Sequence, residues 1–350
     1  MNKRIFFIFF LYSCCLNIYA TANESAPNMD VEDIIFSHIK DSYSWHIASF
    51  KNLDITLSLP VIVRSPNTGW HLFLSKRVEG DVSYNNFKIA SEGRNQGKIV
   101  EIQDDGTEIR PLDLSFTKTA ASIFFNSFIV IIIIMGVRKW YLGKKPSDPA
   151  PKGFVGLMEI LIIMVNEDII KKNIKEDHQK YAPLLLTVFF FIFINNIIGI
   201  IPIFPAGGNV TGNIAVTLVL ALIIFFVVNV FGNKHYWKDI LWPDVPIFLK
   251  APIPFIPIIE IVGILTKPFS LTIRLFANMM AGHAIILALA CVILITGNLG
   301  PAIGSTMPFV TLIFMVFMDI LEILVSFIQA YVFTMLSAVF IGLSHQKEKK

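Results

Sequence analysis

The sequence predicts an all-α polytopic membrane protein with a small β-rich region on its N-terminal side. Three observations predict it. The 350 residues are 54% hydrophobic and only 16% charged, unlike an ordinary soluble domain. Several apolar runs reach the length of about 20 residues that crosses a bilayer core as a helix. Two more, near the C-terminus, are far longer than one crossing needs. The net charge of +3 is too small to argue for nucleic acid, and no basic, aromatic-interleaved patch is present. Cys14 and Cys15 are adjacent and Cys291 sits in an apolar run, which gives neither a disulfide framework nor metal-ligand spacing. Cys291 reads as packing.

Residues 1–22 have the form of a signal peptide: Lys3 and Arg4, the apolar Ile5–Ile18, then Ala20-Thr21-Ala22 as an A-x-A cleavage site. The other reading is an uncleaved anchor. Leu11-Tyr12-Ser13-Cys14 only loosely resembles a lipoprotein box, which Tyr12 fits poorly. Residues 23–112 are polar and are expected outside the cytoplasm. A short helix around Val31–Ile39 is followed by alternating runs at Ile55–Val63, His71–Ser75 and Lys98–Ile102. Turn signals at Ser65-Pro66-Asn67-Thr68-Gly69 and Asp104-Asp105-Gly106 separate them, so hairpins are expected. His38, His46 and His71 are scattered and read as solvated or locally bonded.

The membrane domain is residues 113–350, with about five crossing helices and one interfacial helix. Ala120–Val137 is the first span; Arg138, Lys139, Lys144 and Lys145 after it mark the cytoplasmic side. Ser147–Pro151 is a linker. Gly153–Ile174 is apolar but broken by Glu159, Asn166, Glu167 and Asp168, which suits an interfacial helix. Tyr181–Phe204, with Asn195 and Asn196 inside it, is the second span, and Pro205–Thr211 an external turn. Gly212–Val230 is the third span, followed by a cytoplasmic loop with Lys234, His235, Lys238 and the belt residues Trp237 and Trp242. The two long stretches follow, from about Pro254 to Ile295, interrupted by Pro257 and Pro268, and from about Phe309 to Gly342. Gly297–Pro301 and Pro308 mark the turn between them. As helices of about 60 and 50 Å they must tilt strongly in a core of about 30 Å, forming a hairpin. The C-terminus is then cytoplasmic.

Leu265–Ile285 is apolar enough for lipid yet carries Lys267, Arg274, Asn278 and His283. An arginine at mid-membrane costs about 3 kcal/mol or more, so it must face protein, water or an anion. For an antiparallel pair turning near Pro301, residues of equal depth have numbers summing to about 603. Arg274 then lies level with Gln329, Asn278 with Ser326, His283 with Glu322, and Glu260 with Ser344 and His345. At about 100° per residue, Glu260, Lys267, Ser270, Arg274 and Asn278 share one stripe. Asp319, Glu322, Ser326 and Gln329 share another, while His283 points away from Arg274. Carboxylates and imidazoles exchange protons when burial and neighbours shift them. Arginine keeps its charge, which makes it a barrier. The pattern describes two titratable half-pathways separated by a fixed positive charge. The plainer reading is polar pairs that hold helices together.

Lys267-Pro268-Phe269-Ser270-Leu271-Thr272-Ile273-Arg274-Leu275-Phe276-Ala277-Asn278, followed by Ala281-Gly282-His283, resembles the signature of the membrane a subunit of F-type ATP synthase. Gln329-Ala330-Tyr331-Val332-Phe333, Asn196–Pro202 and Thr211-Gly212-Asn213 are similar to further elements of that family. The resemblance runs from about Ala120 to the C-terminus. It implies a stator subunit of the F0 sector in a bacterial inner membrane, partnered by a c-ring and b-type peripheral stalk subunits, moving protons and needing no cofactor or metal. Arg274 resembles the arginine that faces the ring carboxylate, Gln329 and Asn278 the amides beside it, and Glu260 the acid of the inner half-channel. His283 and Glu322 stand where the best-known bacterial members hold Glu and His, a swap shared with mitochondrial members. Asp319 is an added outer-pathway candidate, and residues 23–112 lie outside the family core. No GxxxxGK[ST] pattern is present, so nucleotide chemistry belongs to other subunits. The alternatives are a secondary ion- or proton-coupled transporter, a metal transporter using His283, Glu322 and Asp319, and a membrane scaffold.

Overall fold

The computed structural model describes residues 41–345 apart from 51–52, 81, 92, 104, 146–147, 202–207, 242–254 and 297–300. The signal peptide, the helix expected at Val31–Ile39, His38, Trp242 and the turn residues Gly297–Gly300 fall outside the described residues.

The N-terminal region is built from short strands: β1 Ser44–Phe50, β2 Leu53–Ser58, β3 Pro60–Ser65, β4 Gly69–Leu74, β5 Phe87–Ile89, β6 Ile99–Ile102, β7 Glu108–Ile109 and β8 Leu112–Asp113. They pair antiparallel in sheets ordered β1-β2, β4-β3-β8 and β5-β6-β7. The expected hairpin between β3 and β4 turns on Ser65, whose Oγ accepts from the N–H groups of Asn67 (3.0 Å) and Thr68 (3.2 Å). Gly69 closes it at φ +82°, a conformation that favours glycine. One expectation is corrected: Ile55–Val63 is not one strand but parts of β2 and β3, in different sheets. At the break, Leu59 exchanges its backbone bonds with Ser75 (3.2 Å to Oγ, 3.0 Å from the amide), and Pro60 has no N–H to continue a ladder. Alternation is indifferent to such a change of partner, so it did not register in the sequence.

Tyr43, Val61, Val63, Phe73, Phe87 and Ile99 form the core of this region. The Tyr43 hydroxyl donates to Asp113, and burial with that carboxylate beside it raises the phenol well above its ordinary range.

The helices are α1 Lys118–Tyr141, α2 Phe154–Ile163 with a π-helical continuation Met164–Lys171 and a last turn Lys172–Ile174, α3 His178–Ile200, α4 Ile214–Val230, α5 Lys234–Leu241, α6 Phe255–Thr296 and α7 Pro301–Ser344. Among the described residues, 4 helices are long and apolar enough to cross a membrane, or 5 if α4 and α5, bent by 97°, count as one span. The protein is a multi-pass membrane protein.

The start of α1 is tied to the β region. Thr117 caps it, Lys118 N–H donates to Ser42 O (2.9 Å) and Thr119 N–H to Asp41 Oδ1 (3.0 Å). These bonds satisfy donors that a helix N-terminus leaves free. In α2, Val165, Ile169 and Ile170 are fully buried, while Glu167, Asp168, Lys171 and Lys172 are exposed and paired as i,i+4 ions. That is the two-faced helix expected for Gly153–Ile174, with its apolar face packed on the end of α7.

One boundary is corrected. α6 keeps the expected extent, with 42 residues, and runs through Pro268; α7 has 44 residues, begins at Pro301 rather than near Phe309, and runs through Pro308. In an apolar medium, unwinding a turn would strand several backbone groups, whereas a proline removes one donor. Thr272 Oγ1 also donates back to the Pro268 carbonyl (2.9 Å), a bond of the kind that eases a local bend. α3 packs on α7 and α1, and α6 packs between α7 and α4. Leu185, Phe189 and Ile192 of α3 fill the centre, with Leu275 of α6 and Ala330 and Ile341 of α7.

Candidate functional site

The two long helices present different faces to the rest of the chain. On α6 the leucine and methionine side chains of Leu271, Leu275 and Met279 turn inward and are buried, at the i, i+4 spacing of a packed helix face. Ser270, Arg274 and Asn278 lie on the exposed face, as does Glu260 nearer the start of the helix. Among the described residues no hydrogen bond or ion pair engages the Arg274 guanidinium. Lys267 departs from the stripe: it is half-buried, with Nζ 5.2 Å from the centre of the Phe340 ring on α7.

The stripe expected on α7 is buried throughout: Asp319, Glu322, Ser326 and Gln329 are between 0% and 8% exposed. It continues in Ser337, a further buried residue on the same face, and Thr334 of α7 is buried as well. The Ser326 and Thr334 hydroxyls have no hydrogen-bond partner. Gln329 therefore faces inward while Arg274, level with it, faces outward.

His283 and Glu322 meet as the depth relation predicts, with Nδ1 2.7 Å from Oε1 and the side chains 14% and 4% exposed. The contact is an ion pair when the imidazole is protonated. Its direction falls short of a hydrogen bond, and both carboxylate oxygens are buried without another partner. Asp319 lies one turn away on the same buried face. No three His, Cys, Asp or Glu side chains among the described residues are gathered for a metal ion. His283, Glu322 and Asp319 are thus not drawn together in this structure.

One glycine lies directly against the pair, and its missing side chain was given no role in the sequence reading. A Cβ on Gly282 would stand 2.8 Å from Glu322 Oε1, so the carboxylate lies against bare α6 backbone. A Cβ on Gly199 of α3 would stand 3.8 Å from His283 Nε2. One turn before Gly199, Asn195 and Asn196 are buried. Asn126 Nδ2 of α1 donates to Asn195 Oδ1 (2.9 Å), and Thr211 donates to Asn196 Oδ1 (2.6 Å). Asn126 Oδ1 and Asn196 Nδ2 remain unpaired. A polar strip thus leads from α1 across α3 to the imidazole. The asparagines inside an apolar run were its only visible signal.

Glu260 does not pair with Ser344 or His345. Ser344 bonds to the Ile341 carbonyl and the His345 ring, and His345 Nε2 to Tyr181 OH at 2.7 Å. The Tyr236 hydroxyl of α5 donates to Asn229 Oδ1 at 3.3 Å. Asn229, Tyr236, Lys267 and Phe340 line a small crevice between α4, α5, α6 and α7.

Residues 123–342, which hold Arg274, Asn278, His283, Asp319, Glu322 and Gln329, match the family model of the ATP synthase A chain. The chain belongs to that family. It is 40% identical over 242 residues to the ATP synthase subunit a of Chlorobium phaeobacteroides, covering 68% of this chain and 67% of the relative. It is 36% identical over 244 residues to that of Chloroherpeton thalassium, covering 68% of each. For Myxococcus xanthus the identity is 37% over 241 residues, covering 67% of this chain and 74% of the relative. The ATP synthase A chain match leaves out the β region. Residues 34–116 match a separate family described as a domain of unknown function (DUF8433).

Proposed function

We propose that this chain is the proton-conducting stator subunit of the F0 sector of an ATP synthase, with Arg274 dividing two half-channels. The observation that carries the reading is the two-sidedness of α6. A buried His283–Glu322 contact lies on one side, and an arginine without a partner among the described residues is exposed on the other. A permanently charged side chain turned outward from an apolar helix calls for an anion supplied from elsewhere. The anion we infer is the carboxylate of a c-ring subunit passing along Ser270, Arg274 and Asn278. Protons enter on the N-terminal side of α1, where the asparagine strip, Asp319, His283 and Glu322 offer titratable and water-binding groups. They reach the ring carboxylate, which is neutralised and rotates into lipid. After nearly a full turn the proton leaves towards Glu260. Gln329, buried beside this route, and Asn278, on the ring face, orient the groups that exchange it.

Each charge that crosses gains about 2.3 kcal/mol per 100 mV, so several drive one ATP, whose chemistry resides in other subunits. b-type peripheral stalk subunits hold the chain against rotation, in a bacterial inner membrane with the mature N-terminus outside and the C-terminus in the cytoplasm. A secondary transporter would use discontinuous helices at its midplane, whereas α6 and α7 are unbroken. The test is Arg274→Ala in the assembled complex. ATP-driven acidification of inverted vesicles should be abolished, and parental pumping would overturn the reading.

A further inference from the structure

The β4-β3-β8 sheet is apolar on both faces. Val61, Val63 and Phe73 on one face fill the core of the region. On the other, Trp70, Leu72 and Leu74 of β4 are 57%, 73% and 53% exposed, and Leu112 and Leu114 at β8 are 55% and 58% exposed. The register sets Ile62 opposite Leu72 and Arg64 between Trp70 and Leu112, so these side chains form one patch. An antiparallel sheet facing water alternates apolar with polar residues. A contiguous apolar patch instead marks a contact with protein or membrane.

The way the patch ends indicates its occupant. Alternation carries the same face past Leu114 to Phe116, whose ring packs 5.4 Å from that of Phe124 in α1. Phe124 begins an exposed stripe that continues through Phe128, Ile132 and Met135, at the spacing of one helix face. That stripe is an exposed apolar side of a helix long and apolar enough to span. The linker Leu114–Thr117 reaches at most about 14 Å, and the bonds of Asp41 and Ser42 to the first turn of α1 shorten the tether further. The sheet is held at the mouth of the span. Arg64 lies 5.7 Å over the Trp70 ring, a pairing suited to the headgroup level, where tryptophan concentrates.

We propose that this sheet face rests on the bilayer, in the leaflet at the N-terminal end of α1, with Leu72 and Leu74 among the upper acyl chains and Arg64 at the phosphates. The β region is then a membrane-contacting foot that fixes how α1 enters the lipid.

The experiment places a photoreactive benzoylphenylalanine at Leu72 of the full chain in the assembled complex, in phosphatidylcholine–phosphatidylglycerol vesicles. Phe128 is the lipid-facing reference and Thr107, at an exposed hairpin tip, the aqueous one. The product is identified by mass. Lipid adducts at Leu72 within about twofold of the yield at Phe128, and about tenfold above that at Thr107, are expected for a face sunk several ångströms into the interface. A second label at Leu112 should behave alike. Cross-linking to another polypeptide, or a yield at the Thr107 level, would overturn the proposal.

Discussion

Replacing Gly282 by alanine separates the fold of this chain from its proposed proton path. The new methyl would stand 2.8 Å from Glu322 Oε1, where an ordinary contact begins at 3.4 Å, so the carboxylate must retreat by about 0.6 Å. The group that yields is the end of a flexible side chain, and Gly→Ala in a helix interior returns about 1 kcal/mol of backbone entropy. Assembly and melting temperature should therefore stay near parental values. The contact with His283 is another matter. Opening it from 2.7 Å by that amount weakens the attraction to a protonated imidazole by about 1 kcal/mol at an effective dielectric constant of about 20. A change of that size in the handover to the ring corresponds to about a fivefold slower passage. ATP-driven acidification of inverted vesicles, normalised to assembled complex, measures it, and parental pumping by a well-assembled Gly282→Ala complex would refute the reasoning. Gly282→Val should fail more severely in the same assay.

Two further outcomes concern stability. Gly342→Val drives a side chain into the Asn173 carbonyl, where α7 meets the last turn of α2; since backbone must move, a loss of about 1–3 kcal/mol is expected in thermal unfolding of the purified chain. Because Tyr43 holds its proton above the ordinary value of 10.0, the native β region binds more protons than the unfolded chain once pH exceeds that value. The contribution is therefore complete below pH 10.0 and is lost as pH rises beyond it; near-ultraviolet dichroism should show this loss in the parent and a flatter profile in Tyr43→Phe.

The helices were legible because a bilayer leaves few alternatives: apolar runs of sufficient length, closed by Arg138, Lys139 and their neighbours, have one economical structure. The His283–Glu322 meeting was legible for a related reason, since two antiparallel rods in contact fix depth by subtraction. What the sequence hid was whatever depends on partners. Depth placed Glu260 level with Ser344, yet those groups bond elsewhere, because equal depth does not set rotation about the helix axis. Pro268 and Pro308 read as breaks because the rule comes from water, where a broken turn finds new hydrogen bonds. Leu59 leaves no trace of the switch between sheets. Gly282 acts through the absence of a side chain, which no pattern of polarity records.

α6 is unbroken between Arg274 and His283, so the two ride one rod on opposite sides. Turning that rod by about 20° at a side-chain radius of about 6 Å moves both tips by about 2 Å, in opposing directions. A sideways pull on the guanidinium therefore slides the imidazole the other way along Glu322. On the proposed mechanism the helix acts as a rocker, the load at one arm being felt at the other.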